Sequence, residues 1–476
     1  MGEYNSIKFG TDGWRGIIAR DFTFDNVCLC AQAMADHLKQ SNLAERGLVI
    51  GYDTRFASED FAAACAEVIA GNGIKVYLCN KATPTPVISY GTVCRNAGGA
   101  IVITASHNPH RWNGFKIKSS DGASAPIEVI EAVEENLKQL QITRNINRLS
   151  LKEAVNKGLV EYWDIAPEYF RKIGSLVDIE LLKKANLRIV VDSMYGAGSG
   201  YLKKILSGGN ILIEEINAER NPIFPGIQPE PIASNLGKIS GTVRRRNADA
   251  GIATDGDADR IGIIDEKGNF ITQLQVYGLL AYYFLEIRKE RGAIIKTITT
   301  TSMLNKLGQI YGVPVFETKV GFKYIAPLMI KENAMIGGEE SGGYGFRNHV
   351  PERDGILAGL YFIDFMVRTG KTPSQLLREL YRKVGEHHYQ RIDIEFLEEQ
   401  REKILERVRS FTPESINGKQ VVKIENIDGY RFLMKDGSWL LIRFSGTEPL
   451  LRIYAESDSV ENVRKLLESG KKATGV

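Results

Sequence analysis

Apolar positions in this chain fall in short runs that alternate with amphipathic stretches, the pattern of a strand followed by a helix. GLVIGYDTR, residues 47–55, is an apolar run that ends in a polar loop. SEDFAAACAEVIAGNG, residues 58–73, has acids in its first turn and apolar residues at Phe61, Cys65, Val68 and Ile69. Ser58 is its expected N-cap, and Gly71 and Gly73 its stop. IKVYLCN then reads as a second strand. A strand–helix–strand unit predicts a parallel sheet covered by helices.

A looser repetition carries more information. Three apolar runs rich in Ala, Ile and Gly each lead into a polar loop: GGAIVITASHNPH, ADAGIATDGDADR and NAMIGGEESGGYG. Ligands of open α/β sheets gather beyond the carboxyl ends of strands. Three such loops predict three related α/β domains facing one cleft. The last hundred residues differ: QVVKIENIDGYRFLMKDGSWLLIRFSG gives short strands separated by Asp-Gly turns, an antiparallel signal. SVENVRKLLESGKKA closes the chain as a helix with Ser459 at its N-cap, so the fourth unit is α+β. The expected domains are residues 1–155, 156–262, 263–375 and 376–476. A chain of 476 residues is too long for one hydrophobic core, which agrees with this division.

Composition narrows the function classes. With 43% hydrophobic and 25% charged residues and a formal charge of +3, nothing points to nucleic acid or an acidic membrane surface. No stretch approaches the roughly 20 apolar residues of a membrane span, and the N-terminus has no apolar h-region. Gly2 and Ser6 match a myristoylation pattern, which two fixed positions meet easily by chance. The five cysteines form no CxxC pair, and several lie among apolar neighbours; reduced thiols in a cytoplasmic protein are expected.

The chemistry sits in the loops. Asp255, Asp257 and Asp259 in TDGDADR follow a strand at alternate positions, and three clustered carboxylates are costly without a counter-charge. A hard divalent cation such as Mg²⁺ supplies one; a solvated acidic turn is the plain alternative. The run imitates an EF-hand loop, but Arg260 stands where that loop needs glycine. Ser106 lies beside His107 in TASHNP, as a nucleophile or as the cap of an Asn-Pro turn. No G-x-S-x-G elbow occurs, which argues against an α/β-hydrolase. A serine that carries phosphate near a bound cation makes chemical sense, because the cation would neutralise developing charge. Lys116 in NGFKIK and Arg15 in GTDGWRG could stabilise that charge, and a lysine of lowered pKa could move a proton. RFSGTEPLLR, with Arg443, Ser445, Gly446, Thr447 and Arg452, offers a phosphate cradle. GGEESGG offers Glu339, Glu340 and Ser341 to sugar hydroxyls, and KVGFK adds Lys323. Gly370-Lys371-Thr372 and Gly196-Ala197-Gly198 fail as nucleotide motifs, since Phe365 and Tyr201 replace required glycines.

TASHNP, DGDADR, GEESGG and RFSGTEPLLR in this order, with GTDGWRG and NGFK, resemble the α-D-phosphohexomutase superfamily over residues 7–460. The resemblance implies three similar α/β domains with mixed sheets and a C-terminal α+β domain around a central cleft. It implies a phosphoserine at Ser106 and Mg²⁺ held by Asp255, Asp257, Asp259 and the phosphoserine oxygen. Arg260 would lie close by, and Arg15, Lys116, His107 and Lys323 would handle protons and charge. Glu339 and Ser341 would grip the sugar, while residues 443–447 and Arg452 would hold the second phosphate. Substrates would be hexose phosphates, passing through glucose 1,6-bisphosphate or its analogue. Gly343 stands where dual glucose/mannose members carry histidine, which favours glucose. Outside mutases, the same residues would suit a metal-dependent phosphatase or a sugar-phosphate-binding protein.

Overall fold

The computed structural model describes residues 7–10, 12–445 and 450–476. Four sheets follow one another along the chain. In the first, Leu48–Tyr52 lies parallel to Val76–Cys79 on one side and to Ala100–Ile103 on the other. Trp112–Lys118 then returns antiparallel to Ala100–Ile103, so the sheet is mixed. The second sheet repeats this order: Arg188–Asp192 sits between Leu212–Ile216 and Ala250–Thr254, and Ile261–Ile264 returns antiparallel. The third does so with Ile294–Thr297, Val315–Thr318, Ile336–Gly338 and Tyr344–Phe346. The three polar loops singled out in the sequence occupy the same place in each repeat, joining the third parallel strand to the returning one. The fourth sheet is antiparallel throughout, with Asp428-Gly429 and Asp436-Gly437 at its hairpin turns.

Elements run a few residues past the expected joins near 155, 262 and 375. Val160–Trp163 pairs into the first sheet, and Ile261–Ile264 and Phe270–Ile271 into the second. Residue 375 falls inside the helix Pro373–Val384. Each short returning or edge strand follows a loop, so the pattern of long apolar runs ends before the sheet does. Ser58 is also not a cap. Ala57 holds the cap position at φ +56°, and the Ser58 hydroxyl donates instead to Asp53. Ser459 does cap the terminal helix, accepting from the Asn462 N–H.

One core cluster runs from Val49 to Val384 and joins the first three domains, whereas the C-terminal domain has its own around Phe432, Ile442 and Ile453. Cys28, Cys30, Cys65 and Cys79 are buried free thiols; Cys94 is exposed. Among the described residues no helix is long and apolar enough to cross a membrane. Gly2 and Ser6 lie outside them.

The C-terminal domain meets the third through Ile298, Trp439, Leu441 and Tyr454. Beside this patch the Glu317 carboxylate takes Lys296 Nζ at 3.0 Å and Arg431 Nη1 at 3.2 Å. Burial opposes charge on Glu317, but Lys296 and Arg431 outweigh it and hold the carboxyl at about 2, below the ordinary 4.5. A depressed folded pKa contributes stability above the unfolded value and loses it as pH falls through the folded one. The seam should therefore weaken between pH 4.5 and about 2. Glu317→Gln should flatten the acid limb of a stability–pH curve in that window, and an unchanged limb would refute this.

Candidate active site

The serine loop meets the aspartate loop. Ser106 Oγ donates to Asp255 Oδ2 at 2.8 Å, across 149 positions of sequence. Ser106 is 1% exposed and sits at φ +51°, a left-handed conformation that costs a non-glycine residue free energy. Arg55 holds it there. Its buried guanidinium donates to the carbonyls of Ser106 (2.6 Å), Asn108 (2.7 Å), Pro109 (3.0 Å) and Trp112 (3.0 Å). Its Nε is fixed by Asp53 at 3.0 Å, and Asp53 also accepts from Thr104 and Ser58. Gly256 permits the close approach, because a Cβ there would lie 2.4 Å from the Ser106 carbonyl oxygen.

Asp255, Asp257 and Asp259 are fully buried, and each offers an oxygen within 4.8 Å of the others. Asp257 Oδ1 and Asp259 Oδ1 have no hydrogen-bond partner among the described residues. Three buried carboxylates that each offer an oxygen to one small volume, two of them with an oxygen that accepts no hydrogen bond, suit a hard divalent cation, so the residues fit Mg²⁺. The other Asp257 oxygen is engaged by Thr85 Oγ1 at 2.6 Å and Lys116 Nζ at 2.8 Å. Burial raises the Asp255 carboxyl well above its ordinary value, and its two aspartate neighbours add to the rise. Asp257 is held low despite burial, chiefly by Lys116.

Lys116 contacts Asp12 (2.9 Å), Asp257 and Asp259 (3.3 Å). Burial would lower its pKa, but the three carboxylates push it upward. With those carboxylates in contact, Lys116 is held as a cation. His107 moves the other way. Burial, with Arg260, Arg15 and Lys116 nearby, drives its pKa well down, so its ring is neutral. Its Nδ1 lies 3.4 Å from Ser106 Oγ. Arg15 Nη1 donates to Asn108 Oδ1 at 2.5 Å, and Arg260 N–H to Asp255 at 3.1 Å. The Arg260 side chain lies 3.5 Å from Glu230.

Three residues of this centre were missed in the sequence: Asp12, Arg55 and Arg353. Arg353, 3% exposed, reaches Asp12 (2.8 Å), Asp259 (3.0 Å), Glu352 (3.0 Å) and Glu339 (3.6 Å). It thereby ties the Glu339 loop to the aspartates. A Cβ at Gly343 would lie 2.5 Å from Arg353 Cδ, so the bare backbone there makes room for this arginine. Asp12 and Arg55 stood in plain view inside GTDGWRG and GYDTR, but a lone charge in a glycine-rich loop carries no signal by itself.

Glu339 is nearly buried, and burial pushes its carboxyl up. The buried Ser341 Oγ has no partner among the described residues. Lys323 begins the helix Phe322–Lys331 with its ammonium over the Tyr324 ring. Arg443 and Arg452 stand directly opposite each other on Trp439–Phe444 and Leu450–Ser457. Like charges so placed repel unless an anion lies between or beside them. The Ser445 N–H bonds the Leu450 carbonyl, while Gly446 and Thr447 fall outside the described residues.

Four domain families match in order. They are described as phosphoglucomutase/phosphomannomutase alpha/beta/alpha domain I (residues 6–143), domain II (167–268), domain III (274–384) and C-terminal domain (399–470). A Thermococcus kodakarensis protein named phosphoglucomutase/phosphomannomutase is 34% identical over 98% of this chain and 97% of its own. A Methanothermobacter thermautotrophicus protein named as a probable phosphoglucosamine mutase is 32% identical over 98% of each. A crystal structure from Thermus thermophilus, described under phosphomannomutase, superposes with TM-score 0.86 at 35% identity, covering 99% of both chains.

Proposed function

Since the chain belongs to the phosphoglucomutase/phosphomannomutase family in all four domains, we propose that it interconverts hexose 1-phosphates and hexose 6-phosphates through a phosphorylated Ser106. The observation that carries this reading is the 2.8 Å contact between Ser106 Oγ and Asp255 beside two unpaired buried carboxylate oxygens. A nucleophile and a cation site share one point.

Ser106, once phosphorylated, gives its phosphoryl group to the free hydroxyl of the bound monophosphate. The resulting 1,6-bisphosphate turns over and returns its other phosphate to Ser106. Mg²⁺ held by Asp255, Asp257, Asp259 and the serine phosphate would polarise the transferring group. Lys116, Arg15 and Arg260 add fixed positive charge around it. His107, whose Nδ1 lies 3.4 Å from Ser106 Oγ, would be a candidate to take the proton of an attacking hydroxyl. Glu339 and Ser341 would orient the sugar, with Lys323 nearby, and Arg443, Ser445, Gly446, Thr447 and Arg452 would hold the far phosphate.

Glucose is the preferred sugar in this reading, with glucose 1,6-bisphosphate as intermediate and activator; mannose or glucosamine phosphates are the alternatives, which the relatives' names support. An isomerisation assay on all three sugars, with Mg²⁺ and bisphosphate, tests it. Fastest turnover of glucose phosphates supports the reading. Equal rates refute the preference, and steady release of inorganic phosphate would indicate a phosphatase instead.

The cation site has its own readout. Mg²⁺ at about 100 times its dissociation constant should add about 2.7 kcal/mol of stability. In a thermal scan this is a rise of a few degrees, reversed by chelator. Asp257→Asn should remove the rise; a variant that keeps it would place the cation elsewhere.

A further inference from the structure

The sheet of the C-terminal domain has two unlike faces. One carries Leu440, Ile442, Leu451 and Ile453 into that domain's own core. On the other, Tyr389, Arg391 and Asp393 alternate along His388–Glu395 and stand opposite Glu456, Tyr454 and Arg452 in register. Arg443 is the next neighbour of Arg452 across the sheet.

Charges of alternating sign run along this face and out of it. Glu340 of the sugar loop takes Arg391 Nη1 at 3.3 Å and the Tyr389 hydroxyl at 2.9 Å. Arg391 Nε reaches Asp393 Oδ1 at 2.8 Å, and Asp393 Oδ2 lies 3.8 Å from Arg452 Nε. The second arginine is tethered in parallel: Arg443 Nε donates to Asp428 Oδ2 at 3.0 Å, and that oxygen accepts the Val320 N–H at 3.0 Å. Asp428 thus hydrogen-bonds one guanidinium of the phosphate cradle, while Asp393 lies within ion-pair reach of the other, whose Nε has no hydrogen-bond partner among the described residues. Each chain of contacts ends on a loop of the third domain. Glu340 differs in kind from its neighbours Glu339 and Ser341, because Arg391 and Tyr389 already engage it.

We propose that Glu340, Arg391 and Asp393 are positioning residues that join two events, capture of the far phosphate by Arg452 and placement of the sugar loop. The proposal rests on the mutase reading of those two sites. Single ion pairs a third exposed to solvent contribute little and are screened by salt. A row of them acts through geometry, since the Arg391 fork fixes a carboxylate on either side, Glu340 and Asp393, and Asp393 faces Arg452. Ordering Arg452 on a phosphate therefore orders Glu340, and by reciprocity a disturbed Glu340 weakens phosphate capture.

The test is calorimetric titration with glucose 6-phosphate, mannose 6-phosphate and glucosamine 6-phosphate, continuing with whichever the unmodified protein binds tightest, and turnover measured alongside. Glu340→Gln and Asp393→Asn should each weaken binding about threefold to tenfold, raising KM more than they lower kcat. The double variant should bind no more weakly than the worse single one. Arg391→Gln should match them and Arg391→Lys recover part of the loss, while the deficits shrink in about 1 M salt. Losses that multiply in the double variant, or a Glu340→Gln protein that binds as the unmodified one does, would overturn the coupling. Binding without isomerisation would sink the mutase reading yet leave the coupling readable from affinity alone. No binding of any of the three sugars would overturn both.

Discussion

Ser106→Ala is expected to abolish isomerisation while leaving the protein folded. Among the described residues its hydroxyl donates one side-chain hydrogen bond, to Asp255, and Asp255 keeps the Arg260 N–H afterwards. Losing one such bond costs about 1 kcal/mol, so the unfolding midpoint should barely move. Turnover is another matter, because without the oxygen there is no covalent carrier for the phosphoryl group. A loss on the order of 10⁴-fold or more is the usual consequence of removing a nucleophile. Intact mass gives an independent reading: the unmodified protein should gain one phosphate after incubation with sugar bisphosphate, and the variant none. A variant that still isomerises, or still takes up that phosphate, would remove Ser106 from the reaction.

The second large effect is on stability. Arg55→Met should cost about 3–5 kcal/mol in denaturant unfolding, the range for removing one partner of a buried ion pair. Asp53 is 1% exposed, and burial already pushes its carboxyl up with Arg55 in place. Removing the guanidinium leaves that carboxylate less compensated and takes one donor from each of four carbonyls, of which Pro109 keeps the Trp112 N–H. Arg55→Lys should recover little, since a single ammonium cannot reach an acid and four carbonyls with the guanidinium's fork. The strained φ of Ser106 should relax as well, so activity falls with stability. A loss below about 1 kcal/mol for the methionine variant would show that the loop holds itself.

Much of this was legible in the chain. The three loops at strand ends announced a repeated α/β unit, and their carboxylates, serine and glycines announced the kind of chemistry. Local pattern carries such information because each loop is continuous in sequence. What the pattern could not carry is pairing at a distance. Arg353 gains its meaning from Asp12, 341 positions earlier, and from a missing side chain at Gly343. Arg55 reads as an ordinary solvated charge until four carbonyls of another loop close around it. The direction of the Lys116 shift was hidden for the same reason: burial alone lowers a lysine, and the three carboxylates that reverse the sign come from two other loops. Ser58 failed as a cap because a nearby acid, Asp53, competed for its hydroxyl.

The join between Ser106 and Asp255 also sets a timetable for the nascent chain. Synthesis at about 5–20 residues per second delivers the serine loop about 7 to 30 seconds before the acid that receives it, 149 positions later. Arg353 emerges later still. A translation product interrupted before the aspartate loop therefore holds the serine hydroxyl without its acceptor.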